Sequence, residues 1–190
     1  MKQVTVLALA AAFVASVSFV NAEEAKIKSG LKVGDSIGAF NVTKCAGASE
    51  DGIPVGDNLC YRCKNGARPQ VMVFTRSSDA KVIELVAKLD KAISKNSDKQ
   101  LRAFVNYMAD SKDAASDSVK KLAKETSAKN VPFVVPNEFE NGPEDYGINA
   151  KADVTIILAE SSKVKANHAV ASAKDLDVAS VVADLEKILN

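Results

Sequence analysis

The middle of the chain alternates between two hydrophobic periods, and that alternation leaves few folds open. Val71-Met72-Val73-Phe74 is a continuous apolar run after Pro69, the pattern of a strand buried on both faces. Val82, Leu85, Val86, Leu89, Ala92 and Ile93 then recur on one helical stripe. Ser77 or Ser78 is placed to cap that helix, with Asp79 in its first turn. Residues 101–108 read as the next strand. Residues 112–127 follow as a helix with a thin apolar face (Val119, Leu122, Ala123) and many lysines. Residues 131–135 are a third core strand, stopped by Pro136. This strand–helix–strand–helix–strand order implies right-handed crossovers and parallel pairing.

Antiparallel pieces flank that unit. Phe40-Asn41-Val42-Thr43 alternates as a short strand, and a Gly/Asp/Pro-rich loop follows over residues 46–58. Leu59-Cys60-Tyr61-Arg62-Cys63 reads as a second short strand completing a hairpin. Towards the C-terminus, residues 143–146, closed by Gly147, make a single helical turn. Residues 154–158 and 164–170 form a hairpin around Glu160-Ser161-Ser162-Lys163. Asp175 or Asp177 caps a last helix with the stripe Val178, Val181, Val182, Leu185, Ile188 and Leu189. One mixed sheet between helices, an α/β fold, accommodates the whole order.

The first residues bear on compartment. Met1-Lys2 is a short positive start, residues 4–20 carry no charge, and Val20-Asn21-Ala22 precedes Glu23-Glu24. This is the pattern of a secretory signal peptide cleaved after Ala22, which places the mature protein in the periplasm or outside the cell. The apolar run is 17 residues, shorter than the roughly 20 that a spanning helix needs. Residues 23–190 then form one domain, long enough to bury a core. Lys2 is the only charge among residues 1–22, so 24 of the 25 basic residues face 24 acidic ones in the remainder. A balanced surface, no Trp and only three Tyr argue against nucleic acid or an anionic membrane as partner.

The element order resembles the thioredoxin-like superfamily, nearest to its exported thiol–disulfide and peroxiredoxin-type branch, which carries an N-terminal β-hairpin. Residues 31–42 resemble the opening of that branch. Tyr146-Gly147-Ile148, the strand at 154–158, the hairpin and the helix to Leu189 resemble a thioredoxin C-terminal half. The resemblance implies a reactive cysteine just after the first core strand and a cis-proline opening the strand that faces it. The first place reads Thr75-Arg76-Ser77-Ser78-Asp79 and the second Ala152-Asp153-Val154-Thr155. Neither usual site element is present.

The cysteines are Cys45, Cys60 and Cys63, and in an oxidising compartment an odd set leaves one thiol outside any internal bridge. Cys60-Tyr61-Arg62-Cys63 is a CxxC pair, able to form a small disulfide, to exchange it with other thiols, or to hold a soft metal. It precedes the core strand. The six residues 70–75 span about 20 Å, which puts the pair far from the helix start at Ser78. Arg62, Lys64 and Arg68 offer cations to favour a thiolate. Cys45 becomes a third exchanging thiol if the hairpin brings it alongside, or it simply fills a strand edge. A metal site would draw on all three cysteines with His168, the only histidine, as fourth ligand. Cys60 to Lys64 spells CxxCK, a variant of the haem-attachment motif. The Arg76-Ser77-Ser78 stretch reads as an anion site or a plain helix cap.

The reading that follows is thiol–disulfide exchange through Cys60 and Cys63, with Cys45 as candidate third thiol. No cofactor and no resident metal are expected, and the partner is another thiol or disulfide protein. The alternatives are a non-catalytic binding or scaffold protein with a structural disulfide, and a copper carrier.

Overall fold

A computed structural model of the chain describes residues 27–190; the signal peptide expected over residues 1–22 lies outside them. The strand–helix alternation produces the expected parallel unit: β3 (Gln70–Thr75), α2 (Ala80–Lys95), β4 (Arg102–Tyr107), α3 (Lys112–Thr126) and β5 (Phe133–Pro136), preceded by β1 (Val42–Ala46), β2 (Asn58–Leu59) and α1 (Tyr61–Asn65). β6 (Val154–Glu160) and β7 (Lys163–Val170) form the closing hairpin, and α4 (Val178–Ala183) and α5 (Glu186–Leu189) end the chain. Seven strands join in one sheet in the order β2-β1-β5-β4-β3-β6-β7. β3, β4 and β5 run parallel, while β1 pairs antiparallel with β5 and β6 antiparallel with β3.

β3 is central, and all six of its residues are buried. Its alternate side chains divide between two cores. Val71 and Val73 join Val82, Leu85, Val86 and Leu89 of α2, Val119 and Leu122 of α3, and Val178, Val181, Leu185 and Ile188 from the closing helices. Met72 and Phe74 face the second core with Phe40, Tyr61, Phe104, Tyr146 and Ile157. The long helices thus cover one face only. The other is covered by the extended lead-in, by α1 and by a 3-10 turn, Glu144–Tyr146, because Phe40, Tyr61 and Tyr146 supply the bulk there.

The structure departs from the sequence expectation in three places. Of residues 59–63 only Leu59 is in a strand: pairing in the hairpin stops after Val42↔Leu59 and Thr43↔Asn58, and the chain turns at once into α1, with Cys60 as N-cap. The cap of α2 is Asp79 rather than Ser77 or Ser78, its side chain accepting the Lys81 N–H at 2.9 Å. The closing helix breaks at Asp184. There the Leu185 N–H turns to the carbonyl of Val182, three residues back, and the Asp184 carboxylate reaches His168 and Lys187. The apolar stripe survives the break. The loop after β1 leaves the sheet at Gly47, at φ 74°, where an added Cβ would sit 2.2 Å from the Val131 carbonyl oxygen; only glycine allows that approach.

Candidate functional site

Cys60 and Cys63 are joined by a disulfide across the single turn of α1. Helical backbone places residues i and i+3 one above the other, and the Cα atoms are 5.2 Å apart. Cys60 is extended, with φ −99° and ψ 97°, and its sulfur accepts the Cys63 backbone N–H at 3.0 Å. Cys63 is exposed and Cys60 half-buried. Cys63 is thus the more accessible member of the pair, while the Cys60 sulfur lies against a backbone donor.

α1 is short, and side chains on either side of the disulfide hold it in place. Tyr61, 2% exposed, stacks on Phe104 with ring centroids 5.7 Å apart. Its hydroxyl donates to Asp51 Oδ2 at 2.5 Å. Burial, and then the Asp51 carboxylate, push the Tyr61 phenol far above the ordinary tyrosine range, so it remains a donor. Asp51 Oδ1 accepts from Lys44 Nζ at 2.7 Å and from the Ile53 N–H at 2.9 Å. Burial alone would raise the Asp51 pKa; the hydrogen bonds from Lys44 and Tyr61 outweigh it and hold the carboxyl below its usual range. Lys44, 1% exposed, directs its remaining donors to the carbonyls of Ala48 and Ile53. On the far side, Arg62 donates to Ile37 O at 3.1 Å and to Ser162 Oγ at 2.8 Å. Its guanidinium meets neutral oxygens, and no carboxylate pairs with it among the described residues.

No family model matches the chain, and no curated protein matches it. Solved structures do. The thioredoxin domain of a thiol-disulfide oxidoreductase from Bacteroides vulgatus superposes with a TM-score of 0.60 at 16% identity, covering 84% of this chain and 99% of that one. AhpC of Mycobacterium tuberculosis gives 0.61 at 14%, covering 84% and 99%. A thiol:disulfide interchange protein from Bacteroides sp. gives 0.58 at 16%, covering 84% and 91%. The fold is thioredoxin-like.

In that fold the place after the first core strand holds no thiol here. Thr75 and Ser77 close on each other: Thr75 Oγ1 accepts the Ser77 N–H and donates to the Ser77 carbonyl, both at 3.0 Å. Arg76 is folded down, donating to Glu140 O and, at 3.1 Å, to Asn141 Oδ1, and its N–H bonds to the Asp153 carbonyl at 2.9 Å. Asp153 stands in the stretch where the resemblance implies a proline, and its carboxylate accepts the Ala173 N–H. The two terminal guanidinium nitrogens and the backbone hold turns together, while the buried Arg76 Nε has no hydrogen-bond partner among the described residues. The CxxC lies at the opposite end of β3, beside Gln70.

The other candidates lie apart from the disulfide. Cys45 is a free thiol buried in the helix-covered core, whereas Tyr61 of α1 is in the other core. The hairpin register matches Val42 with Leu59, so Cys45 is displaced from Cys60 by four residues, roughly 13 Å along the strand. His168 lies on β7, at the sheet edge opposite β2, and bonds Asp184 Oδ2 at 3.0 Å. Among the described residues no three His, Cys, Asp or Glu side chains gather as metal ligands. Sequence reasoning passed over Lys44 and Asp51. A signal existed: Val42 and Lys44 alternate in β1, so a lysine falls on the same side as a buried valine.

Proposed function

We propose that this is an exported thioredoxin-like protein, residues 23–190 of a precursor with a signal peptide, that exchanges the Cys60–Cys63 disulfide with the thiols of another protein. What supports the reading is the asymmetry of the pair. An incoming thiolate attacks the exposed Cys63 Sγ and forms a mixed disulfide; the Cys60–Cys63 bond breaks and its electron pair goes to Cys60 Sγ. A thiolate there is stabilised by the Cys63 N–H and by the charges of Arg62 and Lys64, and a stabilised thiolate leaves faster. A second thiolate of the partner attacks the mixed disulfide and releases Cys63. The partner's dithiol is oxidised to a disulfide, the Cys60–Cys63 disulfide is reduced, and the protons of the two partner thiols end on Cys60 and Cys63.

Oxidised protein mixed with a small dithiol and followed by thiol release tests this. Cys60→Ser and Cys63→Ser should each abolish two-electron exchange, and Cys60→Ser given a small disulfide instead of the dithiol should attack it through Cys63, release one thiolate and accumulate the mixed disulfide. Cys45→Ser should retain activity. One observation favours a purely structural bridge: α1 sits at a seam where Tyr61, Arg62 and Asn65 tie together four segments. That reading wins if wild type does not exchange and Cys60→Ser only lowers the melting temperature. A reduction potential separates the two as well, since structural bridges lie below about −300 mV.

A further inference from the structure

The end of the sheet that carries α1 also concentrates positive charge. A cleft of about 1170 Å³ opens there between residues 47–55, the side of α1 bearing Tyr61, Lys64 and Asn65, and the turns leading into β3, β4 and β5. Arg68 precedes β3, Arg102 opens β4 and Lys129 precedes β5, so each of three turns delivers a cation to the lining. Lys64 adds a fourth from α1. None of the four forms an ion pair among the described residues. Arg102 is held below the ordinary arginine range by burial first and by the Arg68 charge second, so these two like charges face one cleft. Lys44 also lines it, but is matched to Asp51. Of the remaining carboxylates, Glu50 stands at the exposed rim, and Asp90 Oδ1 accepts the N–H groups of Lys129 and Asn130 at 2.9 and 2.6 Å. Set against a formal net charge of +1 for 190 residues, the cluster is local, and like charges gathered this way await an opposite partner.

We infer that the cleft binds an acidic polypeptide segment, and that it selects the redox partner of Cys60–Cys63; the second half rests on the exchange reading above. The volume exceeds the roughly 300–1000 Å³ of a small-molecule pocket. The four cations come from four separate segments of the lining, which suits an extended chain with several carboxylates. Lys64 adjoins Cys63, so a segment seated on Lys64 and Arg68 carries its own cysteine to the exposed Cys63 sulfur. Exchange then follows the steps already balanced: partner dithiol to disulfide, Cys60–Cys63 disulfide to dithiol.

The test compares two peptides with the same central CxxC dithiol, one flanked by glutamates and one by lysines, reacting with oxidised full-length mature protein. The glutamate peptide should reduce the bridge faster on the order of tenfold in about 10 mM salt. That preference should vanish near 1 M salt and in Arg68→Glu/Arg102→Glu; Arg68→Gln/Lys129→Gln, a milder pair, should at least halve it should the first variant fail to melt cooperatively. Lys112→Glu, on the solvent face of α3, should preserve it. Equal rates in wild type, alongside normal exchange with an uncharged dithiol, overturn the inference. A serine version of the glutamate peptide reports binding alone by fluorescence anisotropy. If it binds while no dithiol is exchanged, the exchange reading falls and the acidic-peptide site stands. If citrate displaces it at equal carboxylate concentration, the polypeptide assignment is overturned in favour of a small-anion site.

Discussion

Lys44 shows how a single residue organises the loop next to the disulfide. A buried ammonium has to fill its donors or lose several kcal/mol, and Lys44 fills them with Ala48 O, Asp51 Oδ1 and Ile53 O. Asp51 passes the connection on to Tyr61 and so to α1. Removing one partner of such a pair leaves the other charge uncompensated, at a cost of about 3 kcal/mol. Lys44→Met should therefore lower stability by about that much in a denaturant titration. The pH dependence has a definite sign. The Asp51 carboxyl is held below its usual range in the folded protein, so its contribution is complete above the unfolded value of about 3.9 and disappears as pH falls through the lower folded one. Stability of wild type should decline with acidification below about pH 4, and Asp51→Asn should flatten that part of the profile. An unchanged profile would mean that the network contributes nothing to folding.

Among the elements, the closing helices contribute most for their length. α4 and α5 have only six and four residues, yet Val178, Val181, Leu185 and Ile188 are all buried in the larger core, with Leu176 just ahead of them. Each such side chain is worth about 1.5–3 kcal/mol, and a domain's entire stability is roughly 5–15 kcal/mol. Truncation at Lys174 should abolish cooperative melting; a sharp transition in the shortened chain would show that the packing is dispensable. α1 behaves differently. Its disulfide closes a loop of four residues, for which the chain-entropy argument gives only about 2 kcal/mol. The core anchors Tyr61 independently through Phe104 and Asp51. The bridge can open in exchange with little effect on the fold, and reduced protein should melt only slightly below oxidised protein.

At the scale of the molecule, the two ends of the sheet have separate roles. The end at Thr75 and Arg76 is closed by hydrogen bonds among Thr75, Ser77, Asn141 and Asp153, and a serine hydroxyl cannot form a mixed disulfide. Ser77→Ala should leave exchange unchanged, measured beside Cys63→Ser in the same assay; a loss of activity would move the site back to the α2 end. The proposal of export belongs to this scale too. Among the described residues no helix is long and apolar enough to cross a membrane. If the chain is exported, N-terminal sequencing of the exported fraction should begin at Glu23, and a chain still beginning with Met1 would remove the signal-peptide proposal.

The local periods of the chain determined most of its architecture. Unbroken apolar runs such as Val71-Met72-Val73-Phe74 make buried strands, the stripe from Val82 to Ile93 makes α2, and their alternation forces a parallel unit, because these preferences act over a few residues. The CxxC and its displacement to the N-terminal side of β3 were equally legible, being matters of order along the chain. Tertiary structure decided what depends on distant partners. It set α1 in place of a strand, since Tyr61 finds Phe104 and Asp51 only once the sheet is assembled. It put Cys45 and Cys60 in different layers, since a bulge between Lys44 and Ala46 and the short β1–β2 register govern where the hairpin's side chains go. And it gathered Lys64, Arg68, Arg102 and Lys129 on one cleft. They are separated by up to 65 positions in sequence, and parallel strands bring their starting turns to a common edge.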